Sequence, residues 1–68
     1  MIRFETIPEG KVVGTIQQKV DGALICSTPE IQELVNGKCR AFRLTDAEVY
    51  KYFADGGYDN GYIRAVTT

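Results

Sequence analysis

The chain has 68 residues, 44% of them apolar, and Leu, Ile, Val and Phe together number 18. That is too apolar for a disordered segment and enough for one small domain spanning 1–68. Eight basic residues against nine acidic ones leave a net charge of −1, which excludes a strongly basic module held to nucleic acid by charge alone. There is no His, so the commonest general base, metal ligand and pH switch is missing.

Met1 to Thr6 alternates, with Ile2 and Phe4 on one face and Arg3 and Glu5 on the other, the pattern of a half-buried strand. Pro8-Glu9-Gly10 is turn chemistry. Lys11 to Lys19 is rich in β-branched residues, and Asp21-Gly22 then separates two apolar-bearing runs. That dipeptide predicts a hairpin with a two-residue loop, pairing Val20 with Ala23, Gln18 with Ile25 and Ile16 with Ser27. Val12, Ile16, Val20, Ala23 and Ile25 then form the core face, and Val13, Leu24 and Cys26 fall on the other.

Thr28-Pro29 opens a helix, Thr as the cap and Pro pre-shaped for the first helical position. Ile31, Leu34 and Val35 supply its inward stripe, and Asn36-Gly37 predicts its end after about two turns. Lys38 to Leu44 reads as a strand, with Phe42 and Leu44 inward. Thr45-Asp46-Ala47-Glu48 is a capping box that starts a second helix, which runs to about Asp55 and stops at Gly56-Gly57. Asn60-Gly61 is another tight turn before a closing strand from Tyr62 to Thr67. The expected architecture is α+β: a four- to five-stranded, largely antiparallel sheet with two short helices on one face. Its edge strands offer a route to self-pairing, so the expected state is a monomer or a homodimer.

Little here supports catalysis. Ser27, Cys26 and Cys39 have no His to activate them. Gly56, Gly57 and Gly61 lack the Lys-Ser/Thr of a phosphate-binding loop. Asp55, Asp59 and Asn60 do not have the spacing of a calcium loop, and two Cys cannot supply the usual four zinc ligands. The expectation is a non-enzymatic chain with no catalytic residue, no cofactor and no metal. Arg3, Glu5 and Glu9 stand where a signal peptide has its apolar segment, and no apolar run is long enough to span a membrane. The expected place is therefore the cytoplasm, with no membrane partner, and Cys26 and Cys39 read as reduced thiols. A disulfide between them would close a short loop and contribute roughly 3 kcal/mol in an oxidising compartment.

The charge is unevenly placed. Residues 45–62 hold Asp46, Glu48, Asp55 and Asp59 against Lys51, together with all four tyrosines. On the second helix, Val49, Tyr50 and Phe53 share the inward face, while Glu48, Lys51, Tyr52 and Asp55 lie opposite. An exposed Tyr52 flanked by acids, with Tyr58 and Asp59 following, is a surface suited to a basic protein partner: tyrosine supplies contact area at low entropy cost and carboxylates steer the encounter. The candidate partner-binding residues are Glu48, Tyr52, Asp55, Tyr58 and Asp59. The alternative is a nucleic-acid-binding regulatory module using Lys38, Arg40 and Arg43 on a basic strand.

In its small size, its minimal α+β domain, its lack of a catalytic set and its acid-and-tyrosine surface, the chain resembles the small inhibitor proteins of phages and mobile elements, of the anti-CRISPR type. The resemblance implies a protein that blocks a host defence nuclease complex by direct binding. A net charge of −1 fits local occlusion of a basic site better than mimicry of a whole nucleic acid.

Overall fold

The computed structural model describes all residues, Met1–Thr68. Its elements run β1 (Ile2–Thr6), β2 (Val12–Gln18), β3 (Leu24–Cys26), α1 (Pro29–Phe42), α2 (Asp46–Asp55) and β4 (Ile63–Thr67). The strands form one four-stranded sheet in the order β3-β2-β1-β4, antiparallel throughout, and the fold is α+β.

Alternation in β1 does what its sequence requires. Ile2 and Phe4 are completely buried beneath the helices. Arg3 and Glu5 lie on the opposite face, where Glu5 Oε2 meets Arg3 Nη2 at 3.3 Å and Glu5 Oε1 meets Arg64 Nη2 at 3.5 Å. The core is seven residues: Ile2, Phe4 and Ile16 from the sheet, Ile31 and Val35 from α1, Val49 and Phe53 from α2. Both helices therefore cover one face of the sheet.

The β2–β3 hairpin turns at Asp21-Gly22 but one residue out of the expected register. Ile16 pairs with Cys26 and Gln18 with Leu24. Gly22 N donates to Lys19 O at 2.9 Å, and Gly22 takes φ +93°. The loop is thus a tight turn followed by a left-handed glycine, the three-residue hairpin solution. Asp21 Oδ1 accepts from Ala23 N at 3.0 Å, which fixes the turn. A one-residue slip exchanges the faces of a strand, so Leu24 and Cys26 pack against the core while Ile25 and Val20 are exposed. Val12 is exposed too: a bulge between Phe4 and Glu5 pairs Glu5 with Val12 and leaves Val13 as the extra residue of β2.

The largest departure lies in residues 38–44, expected as a strand. Here α1 passes through Asn36-Gly37 and continues to Phe42. The apolar stripe explains why: Ile31, Leu34, Val35, the Lys38 stem, Cys39 and Phe42 follow helical spacing without a break. The Gln32 amide donates to Asn36 Oδ1 at 2.9 Å and so engages the side chain that would otherwise favour a turn. Arg43 ends the helix in the left-handed conformation, φ +54°. The sheet thus has four strands, with β4 pairing along the free side of β1. Phe42, expected inside, is 56% exposed.

Two glycines can be told apart by experiment. At Gly14 in β2 a side chain would collide with Ile31 Cγ1, so α1 packs directly on the strand backbone. At Gly37 a β-carbon would meet nothing within 4 Å. Gly37→Ala is expected to raise stability by about 0.5–1 kcal/mol, whereas Gly14→Ala should lower it by about 1–3 kcal/mol. Urea melts of both variants check this; a destabilised Gly37→Ala would place the end of α1 at Asn36.

Candidate functional site

The continuation of α1 creates a surface that a shorter helix would not. Lys38 and Phe42 are one turn apart on α1 and lie over residues of α2 and the segment after it. Six aromatic contacts run outward from the core. Phe4 meets Phe53 edge to face, centroids 5.3 Å apart at 82°, and Phe53 meets Tyr58 at 5.2 Å and 81°. Phe4 also reaches Tyr58 at 6.4 Å. Tyr52 lies against Phe53 at 5.2 Å, and stands nearly perpendicular to Tyr58 at 6.4 Å and to Phe42 at 6.1 Å. These are the offset and edge-on geometries that ring quadrupoles favour. Burial falls along the series, from Phe4 and Phe53 through half-buried Tyr52 and Tyr58 to exposed Phe42.

Tyr52 is therefore not the free-standing exposed side chain that its place on the helix suggests. The last turn of α1 covers part of it, because that segment is helix and not strand. Lys38 Nζ stands 5.3 Å from the Phe42 centroid, 5.7 Å from Tyr52 and 5.6 Å from Tyr58, within cation–π range of all three.

The carboxylates differ in their freedom. Glu48 Oε1 accepts from Thr45 N at 2.9 Å, and Thr45 Oγ1 accepts from Glu48 N at 3.3 Å, completing the capping box. These bonds hold the Glu48 carboxyl below the usual carboxylate range, the Thr45 backbone donor contributing most. Asp59 Oδ1 accepts from Gly61 N at 2.8 Å and shapes the turn into β4. Asp55 is exposed at the end of α2, three residues beyond Tyr52 and on the same side of the helix.

Lys38, Arg40 and Arg43 do not form a basic strand. On a helix Arg40 lies about 200° round from Lys38, and Arg43 is the left-handed cap. Lys38 is engaged with the rings. The three charges also sit at the carbonyl end of α1, the negative pole of the helix dipole, which is unfavourable for a phosphate. Sequence reasoning placed Lys38 and Phe42 apart from Tyr52 and Tyr58; their spacing of four, read as helical, is the signal that joins them.

Elsewhere, Cys26 and Cys39 are free thiols, both half-buried. Burial raises the Cys26 thiol above its ordinary value, and the nearby Asp46 charge adds to this, so it stays protonated and weakly nucleophilic at neutral pH. An open groove of about 460 Å³ between Val13, Ile31, Leu34 and Ile63 has Glu30 as its one charged group. No helix is long and apolar enough to cross a membrane. No protein-family model matches the chain, and no significant match to a curated protein or a solved structure is found.

The lowered Glu48 carboxyl fixes the sign of a pH effect. A group whose folded value is depressed stabilises the fold above its unfolded value, and that contribution is lost as pH falls through the folded one. The difference in melting temperature between the parent and Glu48→Gln should be largest at neutral pH and shrink as pH falls below about 4. A difference unchanged from neutral to acid would show that the charge of Glu48 does not hold the cap.

Proposed function

We propose that this chain is a small non-enzymatic protein-binding module that covers a basic site on a partner protein. It would act in the manner of the phage-type inhibitors of the anti-CRISPR class that occlude host nuclease complexes, and in the cytoplasm, where both thiols stay reduced. The observation that carries this is the aromatic series ending at the surface in Phe42, Tyr52 and Tyr58 beside the acidic side of α2. Rings anchored from the core form a rigid apolar centre, as binding anchors require. The carboxylates of Asp55 and Asp59 around them favour a cationic partner surface and speed its approach. Phe42, the most exposed of these three rings, is the anchor, with Tyr52 and Tyr58 as its support.

This changes which substitutions isolate binding. Glu48 holds the helix cap, so reversing its charge disturbs folding as well as the surface. Asp55 makes no such bond, and surface changes at such positions usually shift stability by less than about 0.5 kcal/mol. The test uses the partner recovered by affinity capture from the native host, then purified and measured by calorimetry. Asp55→Lys should slow association and make it less sensitive to salt, and Phe42→Ala should cost about 2 kcal/mol or more of binding. If both bind like the parent while Arg40→Glu with Arg43→Glu does not, the basic end of α1 is the functional surface and the proposal fails.

A further inference from the structure

Phe42, Tyr52 and Tyr58 do more than line an apolar patch. Tyr52 stands nearly perpendicular to each of the other two, at 72° and 76°, so the rings form the walls of a corner rather than a flat stack. Lys38 Nζ occupies that corner, 5.3 to 5.7 Å from all three centroids. It makes no hydrogen bond to a polar side chain and no ion pair there; the ion pairs of the chain involve Arg3, Arg64 and Glu5. Three rings around one cation is the arrangement by which proteins recognise cationic groups.

Lys38 is shared among the rings rather than seated on one: its nitrogen stands 5.3 to 5.7 Å from the three centroids, in the outer part of the range over which a ring attracts a cation. An ammonium is compact and strongly hydrated, and gains little from such a site. A guanidinium is broader, planar, more weakly hydrated and stacks on aromatic faces, and it suits apolar walls better than an ammonium does. Asp55, three residues after Tyr52, and Asp59, next to Tyr58, lie within the acidic stretch of the sequence, and their charge favours an incoming cation.

We infer that Phe42, Tyr52 and Tyr58 form a cage for an arginine side chain of the partner, and that Lys38 occupies this cage within the chain until that arginine displaces it. The inference rests on the proposed reading of a basic partner and names the group it would present. Lys38 then serves as an internal competitor: it holds the corner between the rings in the free protein, and only a better-fitting cation removes it.

The experiment titrates blocked arginine (acetyl-arginine amide) and blocked lysine into the full chain and into Lys38→Met, which keeps an unbranched stem without the charge. The ring signals of Tyr52 and Tyr58 are followed by NMR. Lys38→Met should bind blocked arginine roughly fivefold or more tightly than the parent, arginine should bind more tightly than lysine, and adding Tyr52→Leu should abolish the ring shifts. Lys38→Gln serves as a second uncharged variant if Lys38→Met does not keep the parent's amide spectrum. Overturning results are arginine binding no tighter to the uncharged variants than to the parent, or shifts that spare both tyrosines. Loss of partner binding on Asp55→Lys together with an unresponsive cage would leave the proposed function standing and remove only the arginine assignment.

Discussion

The contact between Phe4 and Phe53 joins the two layers of this protein, and both the core and the surface depend on it. Phe4 is completely buried on β1, a strand paired on both sides, and Phe53 is buried on α2. An edge-to-face pair contributes about 0.5–1.5 kcal/mol beyond the burial of its area, a large share where only seven side chains make the core. Tyr58 touches both rings, and Tyr52 touches Phe53 and Tyr58. The surface rings are thus held by the core itself. A domain this small cannot set aside a separate scaffold for its surface; the same aromatic network builds the core and fixes the outer rings.

The length of α1 decides what that network presents. Had the helix ended at Asn36, Tyr52 would stand exposed among carboxylates and the basic residues would line a strand. Continued to Phe42, it brings a lysine and a phenylalanine over α2. The carbonyl end of one helix then lies beside the next, with the Thr45 and Glu48 cap satisfying the amides that open α2. Local charge balance follows from this junction: cations near the end of α1 and carboxylates at the start of α2 each match the dipole they sit on.

Features set by neighbouring residues were legible in the sequence. The alternation of Ile2 and Phe4, the Thr28-Pro29 start, the Thr45 to Glu48 box and the Gly56 stop all act within one turn or one strand, and the structure has each of them. Asn36-Gly37 misled because a turn dipeptide is a local preference of about 1 kcal/mol, and a stripe of buried side chains extending past it outweighs that preference. The hairpin register was lost for a related reason. Asp21-Gly22 suits two loop lengths, and burying Leu24 and Cys26 rather than Ile25 selects the longer one. The candidate site was half visible: the acidic and tyrosine-bearing stretch was found, but its partnership with Lys38 and Phe42 depends on contacts between elements whose identity was still in question.

The segment after α2 has a further effect. Tyr58 O accepts from Ala65 N, Asn60 N donates to Ile63 O, and Asp59 bridges to Arg64, so much of the outer side of β4 is already paired within the chain. The opposite border of the sheet, β3, is three residues long and has one neighbour. Ribbon growth needs two free borders, one to receive each new chain and one to offer to the next. Growth of the sheet through the β4 border would first have to displace the loop that follows α2.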